Sequence, residues 1–302
     1  MNAAPARRTK QLRQHIISYL MIMPAIAFLS VFVIYPMLHL IQLSLYTGNA
    51  NNPYKKFVLF ENFRQILFVK PDFMIAVRNT AVYTVSMVVL LIFFAVIFAL
   101  WMYKDRAINR VAQTVFFTPH LVATISCAFI WSWLYNSNSY GLFNSVLALF
   151  GINPIRWLDT TDTAMLSVII MNIWKGIGYY ALIVMSALKA IPVEIYEAAK
   201  LDNASPLKVF FKITLPMLSP QLFFMLITIT TGSFKVFDSI RIMTNGGPGR
   251  STQVMTMYIY DYAFQRNNTL GIGAAAGVVL MLILFLITVL DFKGFERRVH
   301  YQ

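Results

Sequence analysis

Charge is scarce in this chain. Of 302 residues only 12% are Asp, Glu, Lys or Arg, against 58% hydrophobic, about half the charged share of an ordinary soluble domain. A soluble chain of this length buries one core under a charged skin, and here there is too little charge to make that skin. Cysteine is scarcer still. Cys127 stands alone within an apolar stretch, which excludes an intrachain disulfide and a thiolate metal site. The four histidines, His15, His39, His120 and His300, are scattered without metal-ligand spacing and read as membrane-edge or packing residues. There is no Gly-x-Ser-x-Gly elbow, no His-Glu-x-x-His pair and no P-loop. Nothing in the sequence hydrolyses ATP or calls for a cofactor, so active transport by this chain would draw its energy from a partner or an ion gradient.

What the chain has in place of charge is long apolar runs. Six stretches, at approximately 16–43, 76–103, 111–135, 163–188, 217–241 and 268–290, are long enough to cross ~30 Å of hydrocarbon at ~1.5 Å per residue. The second holds Val88 to Ile97 and the sixth Gly277 to Phe285 without one charge. Lipid offers the backbone no hydrogen bonds, so such stretches must be helices. The expected fold is an all-α integral membrane protein of about six transmembrane helices. The expected division is a cytoplasmic segment over 1–15, a transmembrane domain over 16–290 and a cytoplasmic tail over 291–302. The first apolar run is too long for a signal-peptide core and lacks a small-x-small site, so it reads as a retained span.

Lys and Arg placement sets the orientation. With both ends inside, fourteen of the 25 fall on cytoplasmic segments, two (Lys175 and Lys235) within spans and nine outside. Five of those nine, Lys55, Lys56, Arg64, Lys70 and Arg78, crowd the first outer loop and weaken the bias. The net charge of +13 follows from this placement and needs no nucleic acid as partner. Lipid is the expected surrounding.

The segment between the fourth and fifth spans, about 190–216, reads as a short helix, a turn and a second helix. Pro192 suits a helix start, Ser205-Pro206 supplies an N-cap followed by proline at the first helical position, and Asn203 can take the positive φ of a reversal. The same segment resembles the EAA signature of ABC-importer permeases, Glu-Ala-Ala-x3-Gly-x9-Ile-x-Leu-Pro. Glu197, Ala198, Ala199, Ile213, Leu215 and Pro216 match at the family spacing, and Asn203 stands where glycine is usual. The resemblance extends to Leu188–Pro192, Thr244–Pro248, Tyr258–Tyr260 and Ala263-Phe264, in the manner of maltose-type (MalF-like) carbohydrate permeases.

That resemblance implies a coupling helix docked in a cleft of an ATP-binding subunit. Glu197 would face a basic residue there, Ala198 and Ala199 would allow close approach, Leu201 would give apolar contact and Asn203 would shape the turn. It also implies the partners: a second homologous permease, two ATP-binding subunits that hold ATP and magnesium, and an extracellular solute-binding protein, all at the plasma (inner) membrane. The blander alternative is a solvated loop in which Glu197 pairs with Lys200 one turn on.

In the fourth span, Asn172, Trp174, Gly176 and Tyr179 match a pattern that lines the sugar site of maltose-type permeases. Independently, indole and phenol rings can stack on a sugar while their N–H and O–H groups bond hydroxyls. Glycines pack helices closely, and that is the competing role for Gly176 and Gly178. A lysine in mid-span, as at Lys175, costs ~3 kcal/mol in lipid and should face protein or water. In the fifth span, Ser233 and Val236 align with the sugar-facing stretch, while Lys235 and Asp238, three apart, would share a helix face and neutralise each other. Thr244–Gly249 reads as a tight outer turn, either a contact for a binding protein or a connector. The function so implied is a permease subunit importing a carbohydrate or related polyol or glycerol phosphate. An ion-gradient-driven carrier is the principal rival, a membrane-embedded enzyme and a non-transporting subunit the others. The carrier predicts inverted repeats and acidic sites at depth, and no convincing repeat is found, with Asp238 the only carboxylate well inside a span.

Overall fold

The computed structural model describes residues 4–138 and 141–295, with side chains over 17–138 and 141–293. Within that range the backbone of 4–15 and 291–295 is helical, and the rest of the two expected terminal segments lies outside the described residues. The first helix, α1 (Ala4–Leu29), passes through one wide π turn (Ser30–Ile34) into α2 (Tyr35–Ser44). The described side chains from Ile17 to Leu38 are exposed apart from Ser30, so this stretch meets lipid or another chain, and only the end of α2 packs on the rest of its own.

After α2 a minimal antiparallel hairpin pairs β1 (Tyr46–Thr47) with β2 (Lys56–Phe57), a small departure from an all-α chain. A short helix, α3 (Glu61–Arg64), leads through a second π turn (Gln65–Val69) to α4 (Pro71–Met102). Next come α5 (Ala107–Leu121), α6 (Thr124–Leu134), the short helix α7 (Leu142–Leu149) and α8 (Ala164–Ala190). The segment after α8 holds α9 (Val193–Leu201), α10 (Pro206–Val209), a π turn (Phe210–Thr214) and α11 (Leu215–Met217). The chain ends with α12 (Ser219–Phe234), α13 (Asp238–Met243), α14 (Met255–Tyr260), a π turn (Asp261–Gln265) and α15 (Leu270–Phe295).

Four spans are continuous: Ile17–Ser44, Pro71–Met102, Ala164–Ala190 and Leu270–Lys293. The other two expected spans are each broken. The third, expected over 111–135, is α5 and α6 meeting at 103°. Pro119 lies inside α5, where it removes an intrahelical donor and crowds the preceding turn, and Val122 and Ala123 then take extended ψ values of 140° and 136°. The fifth, expected over 217–241, is bent by 63° between the segment Pro206–Met217 and α12. Pro216 and Pro220 flank that bend, and each lacks the N–H that a continuous helix would donate there. This span also stops early. Lys235 and Val236 donate their N–H groups to Gly232 and Ser233 three residues back, the tightened hydrogen bonding of a last turn. Phe237 leaves helical space at φ −144°. Lys235 and Asp238 therefore do not share a helix face, and no ion pair joins them among the described residues.

Helix α4 packs on α8 and α12, α8 on α5, α13 on α6, and α15 on α2 and α14. One buried cluster runs through α4, α6, α8, α12 and α13, from Tyr83 and Leu91 to Val168, Ala181 and Ile240. A second gathers Ile66, Phe73, Tyr258 and Ala275 around the π turns Gln65–Val69 and Asp261–Gln265. Helices α5 and α8 come very close at Gly178, where a Cβ would fall 2.0 Å from the Phe116 carbonyl oxygen. Only glycine lets the two backbones approach so nearly.

Candidate functional site

A cavity of about 300 Å³ opens where the two broken spans face α4 and α8. Its wall takes Tyr83, Met87 and Leu91 from α4, His120 and Thr124 from either side of the α5–α6 break, and Asn172, Lys175, Gly176 and Tyr180 from α8. The end of α12 and the break after it add Thr228, Ile229, Gly232, Ser233, Lys235, Val236 and Phe237, and α13 adds Asp238 and Ser239. Irregular backbone at membrane depth is tolerated where it lines a cavity or is buried in protein, and two of the breaks border this one. Their freed carbonyls have donors. Lys175 Nζ donates to the His120 carbonyl at 3.1 Å, and the Thr256 hydroxyl donates to the Val236 carbonyl.

Residues three and four apart share a helix face, so Asn172, Lys175 and Gly176 come together on α8. Asn172 Nδ2 donates to the Ser239 hydroxyl at 3.1 Å and to the Val168 carbonyl at 2.9 Å, tying α8 to α13. Ser233 is buried and Val236 half-buried in the opposite wall. Four of the six expected substrate residues, Asn172, Gly176, Ser233 and Val236, thus line one cavity. The other two do not. Trp174 lies two positions from Asn172, on another side of α8, exposed and against Trp131 with ring centroids 5.3 Å apart. Tyr179 stacks on His120 at 4.3 Å and 5°, behind the wall rather than in it.

Several lining residues were not among the expected substrate residues: Tyr83, His120 (read as a membrane-edge or packing residue), Tyr180, Thr228, Phe237 and Ser239. For His120 a signal existed, the run Thr118-Pro119-His120 and then Thr124 in an otherwise apolar span. The ammonium of Lys235 and the carboxylate of Asp238 have no hydrogen-bonded or ionic partner among the described residues.

A second, larger cavity of about 640 Å³ lies beyond α6, bounded by Asn136–Asn138, Arg156, Asp159 and the turn at Thr244–Pro248. That turn is fixed from within and from α4. Asn245, Gly246, Gly249 and Arg250 all have positive φ, and the Thr252 hydroxyl donates to the Gly247 carbonyl at 2.7 Å. Asn79 Nδ2 donates to the carbonyls of Arg250 and Gln253 at 2.8 and 3.0 Å, and Arg250 pairs with Asp72. Beside this cavity, the buried Tyr135 donates its hydroxyl to the Ser167 carbonyl at 3.3 Å.

The segment after α8 is built by local chemistry. Pro192 sits at the N-cap of α9, one residue ahead of the first turn. At the other end Ala204 N–H bonds the Ala199 carbonyl and Asn203 N–H that of Lys200, both at 3.0 Å, with Asn203 at φ 51°. This is a Schellman close, which places a left-handed residue where Asn203 stands. The Ser205 hydroxyl caps the next helix by accepting from Lys208 N–H at 3.4 Å. Tyr196 Oη lies 3.2 Å from Thr214 Oγ1, pinning α9 to the segment that follows. Ala199 is buried, whereas Val193, Glu197, Ala198 and Leu201 are exposed, Leu201 at 84%. Glu197 has no ion pair with Lys200 among the described residues.

Against known proteins, residues 91–301 match the family described as the binding-protein-dependent transport system inner membrane component. The chain is 32% identical to the trehalose/maltose transport system permease protein MalF of Thermococcus litoralis over 281 residues, 93% of this chain and 94% of that one. It is 30% identical to the lactose transport system permease protein LacF of Rhizobium radiobacter, over 93% and 94% of the two chains. Among solved structures, one chain of a bacterial ABC transporter involved in the import of the acidic polysaccharide alginate superimposes with a TM-score of 0.82, covering 96% of this chain and 99% of that one at 22% identity. With the broken-span architecture and a family match over most of its length, the chain belongs to the binding-protein-dependent inner-membrane transport components.

Proposed function

We propose that this permease forms half of a pathway for a sugar or oligosaccharide. Asn172, Gly176, Ser233 and Val236 line its part of the route, and α9 receives the drive from an ATP-binding partner. The observation that carries the reading is the cavity between the two broken spans. Its wall pairs ring faces (Tyr83, Tyr180, Phe237) with hydroxyl and amide groups (Thr228, Ser233, Ser239, Asn172), the combination that binds a sugar's apolar face and its hydroxyls together. The sugars named for the trehalose/maltose and lactose relatives support the same class. Trp174 and Tyr179 take supporting parts in this reading. Tyr179 fixes the ring of His120, and the exposed Trp174 suits the second permease that completes the pathway.

The same reading puts both termini and the segment 190–216 on the cytoplasmic side, the transmembrane domain over 16–290 and the turn Thr244–Gly249 outside. The exposed side of α9 is then the docking face. Glu197 meets a cation, Ala198 and the buried Ala199 keep the helix narrow, Leu201 enters an apolar recess, and Asn203 holds the angle. Two ATP-binding subunits carry the nucleotide and magnesium, so hydrolysis happens outside this chain. Closing of the ATP-bound pair would move α9, and Tyr196 would pass that motion to the helix leading into α12 and the cavity. A solute-binding protein would deliver the sugar at the outer turn.

The test is affinity purification of the chain in mild detergent, wild type beside Glu197→Arg, followed by mass spectrometry. The expected result is recovery of an ATP-binding subunit and a second permease with the wild type, and at least tenfold less of the ATP-binding subunit with the variant. A chain that is recovered alone, and moves solute without an ATP-binding subunit, overturns the reading in favour of an ion-driven carrier.

A further inference from the structure

Charge inside the cavity narrows the solute further, on the reading that this cavity is the sugar route. Lys175 and Lys235 both line it, against one carboxylate, Asp238. Neither lysine is within 4.0 Å of a carboxylate among the described residues, and Asp238 neutralises neither. Lys175 uses one of its three ammonium protons on the His120 carbonyl at 3.1 Å and has two left to give. Lys235 stands where α12 ends, exposed to the cavity, and its ammonium donates to nothing among the described residues.

Position explains part of this. A cation at a helix C-terminus is favoured by the macrodipole, and that accounts for Lys235 being tolerated. It does not account for Lys175, seated in the middle of α8 on the same face as Asn172, where an ammonium at membrane depth is costly unless it meets water, protein or a counter-ion. Two lysines lining one cavity with a single carboxylate leave an excess positive charge. A neutral sugar leaves that excess as it was. A carboxylated or phosphorylated sugar supplies the missing negative charge and accepts charge-assisted hydrogen bonds, which are about twice as strong as neutral ones.

We propose that the cavity selects an anionic carbohydrate, its acid group held between Lys235 and Lys175 while Asn172 and Ser233 bond the hydroxyls. Asp238 then serves as a counter-charge that keeps the empty cavity from trapping small anions and repels a solute carrying its acid group at the wrong end.

The experiment uses the assembled complex, both permeases with the ATP-binding subunits, in lipid nanodiscs and without the binding protein, so that the cavity alone selects. Trigalacturonate and maltotriose, matched in length, are compared by equilibrium dialysis for the wild type, Lys235→Met and Lys235→Arg. Trigalacturonate is expected to bind at least about tenfold more tightly than maltotriose, by one charge-assisted contact. That preference should fall about tenfold in Lys235→Met, survive in Lys235→Arg, and weaken as salt is raised. Maltotriose binding as tightly, with Lys235→Met unchanged, overturns the anionic solute and leaves the sugar pathway standing. Binding of neither sugar by a complex that assembles and hydrolyses ATP overturns both.

Discussion

The cavity beside α8 and the turn after α9 are built by opposite rules. The turn is local: its hydrogen bonds span five residues or fewer, its one left-handed residue is Asn203, and the exposed face of α9 before it points away from the fold. The cavity is assembled from α4, α5, α6, α8, α12 and α13, and its polar groups answer partners far along the chain, as Asn172 answers Ser239 and Lys175 answers His120. A surface meant to dock needs a fixed backbone and free side chains. A route meant to pass a solute needs helices that stop in mid-membrane and neighbours that take up the hydrogen bonds so released.

The contrast is broken most severely at Gly178. Any side chain there meets the Phe116 backbone at 2.0 Å, and backbone cannot step aside as a flexible side chain can. Gly178→Leu is expected to part α5 from α8, cost about 3 kcal/mol or more, and abolish recovery of a monodisperse complex by size-exclusion chromatography. Gly232, in the wall of the same cavity, is the opposite case. Nothing lies within 4 Å of a Cβ built on it. Gly232→Leu should fold and assemble with normal thermal stability and yet stop uptake, because its side chain occupies the route. If Gly232→Leu transports normally in a proteoliposome assay, the cavity is not on the pathway.

How far each region could be read in advance follows from the same contrast. The apolar stretches announced the spans because absence of charge is additive along a window. The cap at Ser205 and the positive φ at Asn203 were legible because both are properties of a few adjacent residues. The breaks were not. Pro119 and the pair Pro216 and Pro220 are single residues within apolar runs, and a hydropathy window averages across them. The stop after Phe234 depends on where α12 meets its neighbours, so Lys235 and Asp238 looked like one helix face. The side pairing of Asn172 with Trp174 had a simpler remedy. At 100° per residue, positions two apart point away from each other, and only Asn172 faces the cavity. His120 needed the bend itself, since a straight span gives no reason for its carbonyl to be free for Lys175.

A milder perturbation separates the wall from its supports. Asn172→Leu removes the bond from α8 to Ser239 and leaves that buried hydroxyl without its donor, at a cost of about 1–3 kcal/mol. It also withdraws a polar group from the cavity. Trp174→Ala removes an exposed ring that packs on Trp131 and leaves the cavity wall in place. Uptake assays on the two variants should therefore show the larger rise in apparent KM for Asn172→Leu. The reverse order would move the solute path to the Trp174 side of α8.

The smallest expected effect lies in the turn, and it tests whether that region is local in energy as well as in geometry. Asn203 holds φ 51° at the position that closes α9, where a non-glycine residue carries strain and asparagine carries less than most. Asn203→Gly should relieve that strain and gain no more than about 1 kcal/mol, offset in part by the freedom glycine gives the unfolded chain. Asn203→Val, with a branched β-carbon in the same left-handed site, should cost about 1–2 kcal/mol. Because the strain is confined to one Schellman close, neither change should alter solute binding at the cavity, measured on the isolated complex. On the proposed docking of α9, both should alter the ATP hydrolysis rate coupled to transport, in opposite directions, since each changes how firmly α9 is presented. A shift in solute affinity equal to the shift in coupling would mean that the turn and the cavity share one energetic unit, with Tyr196 and Thr214 as the link between them.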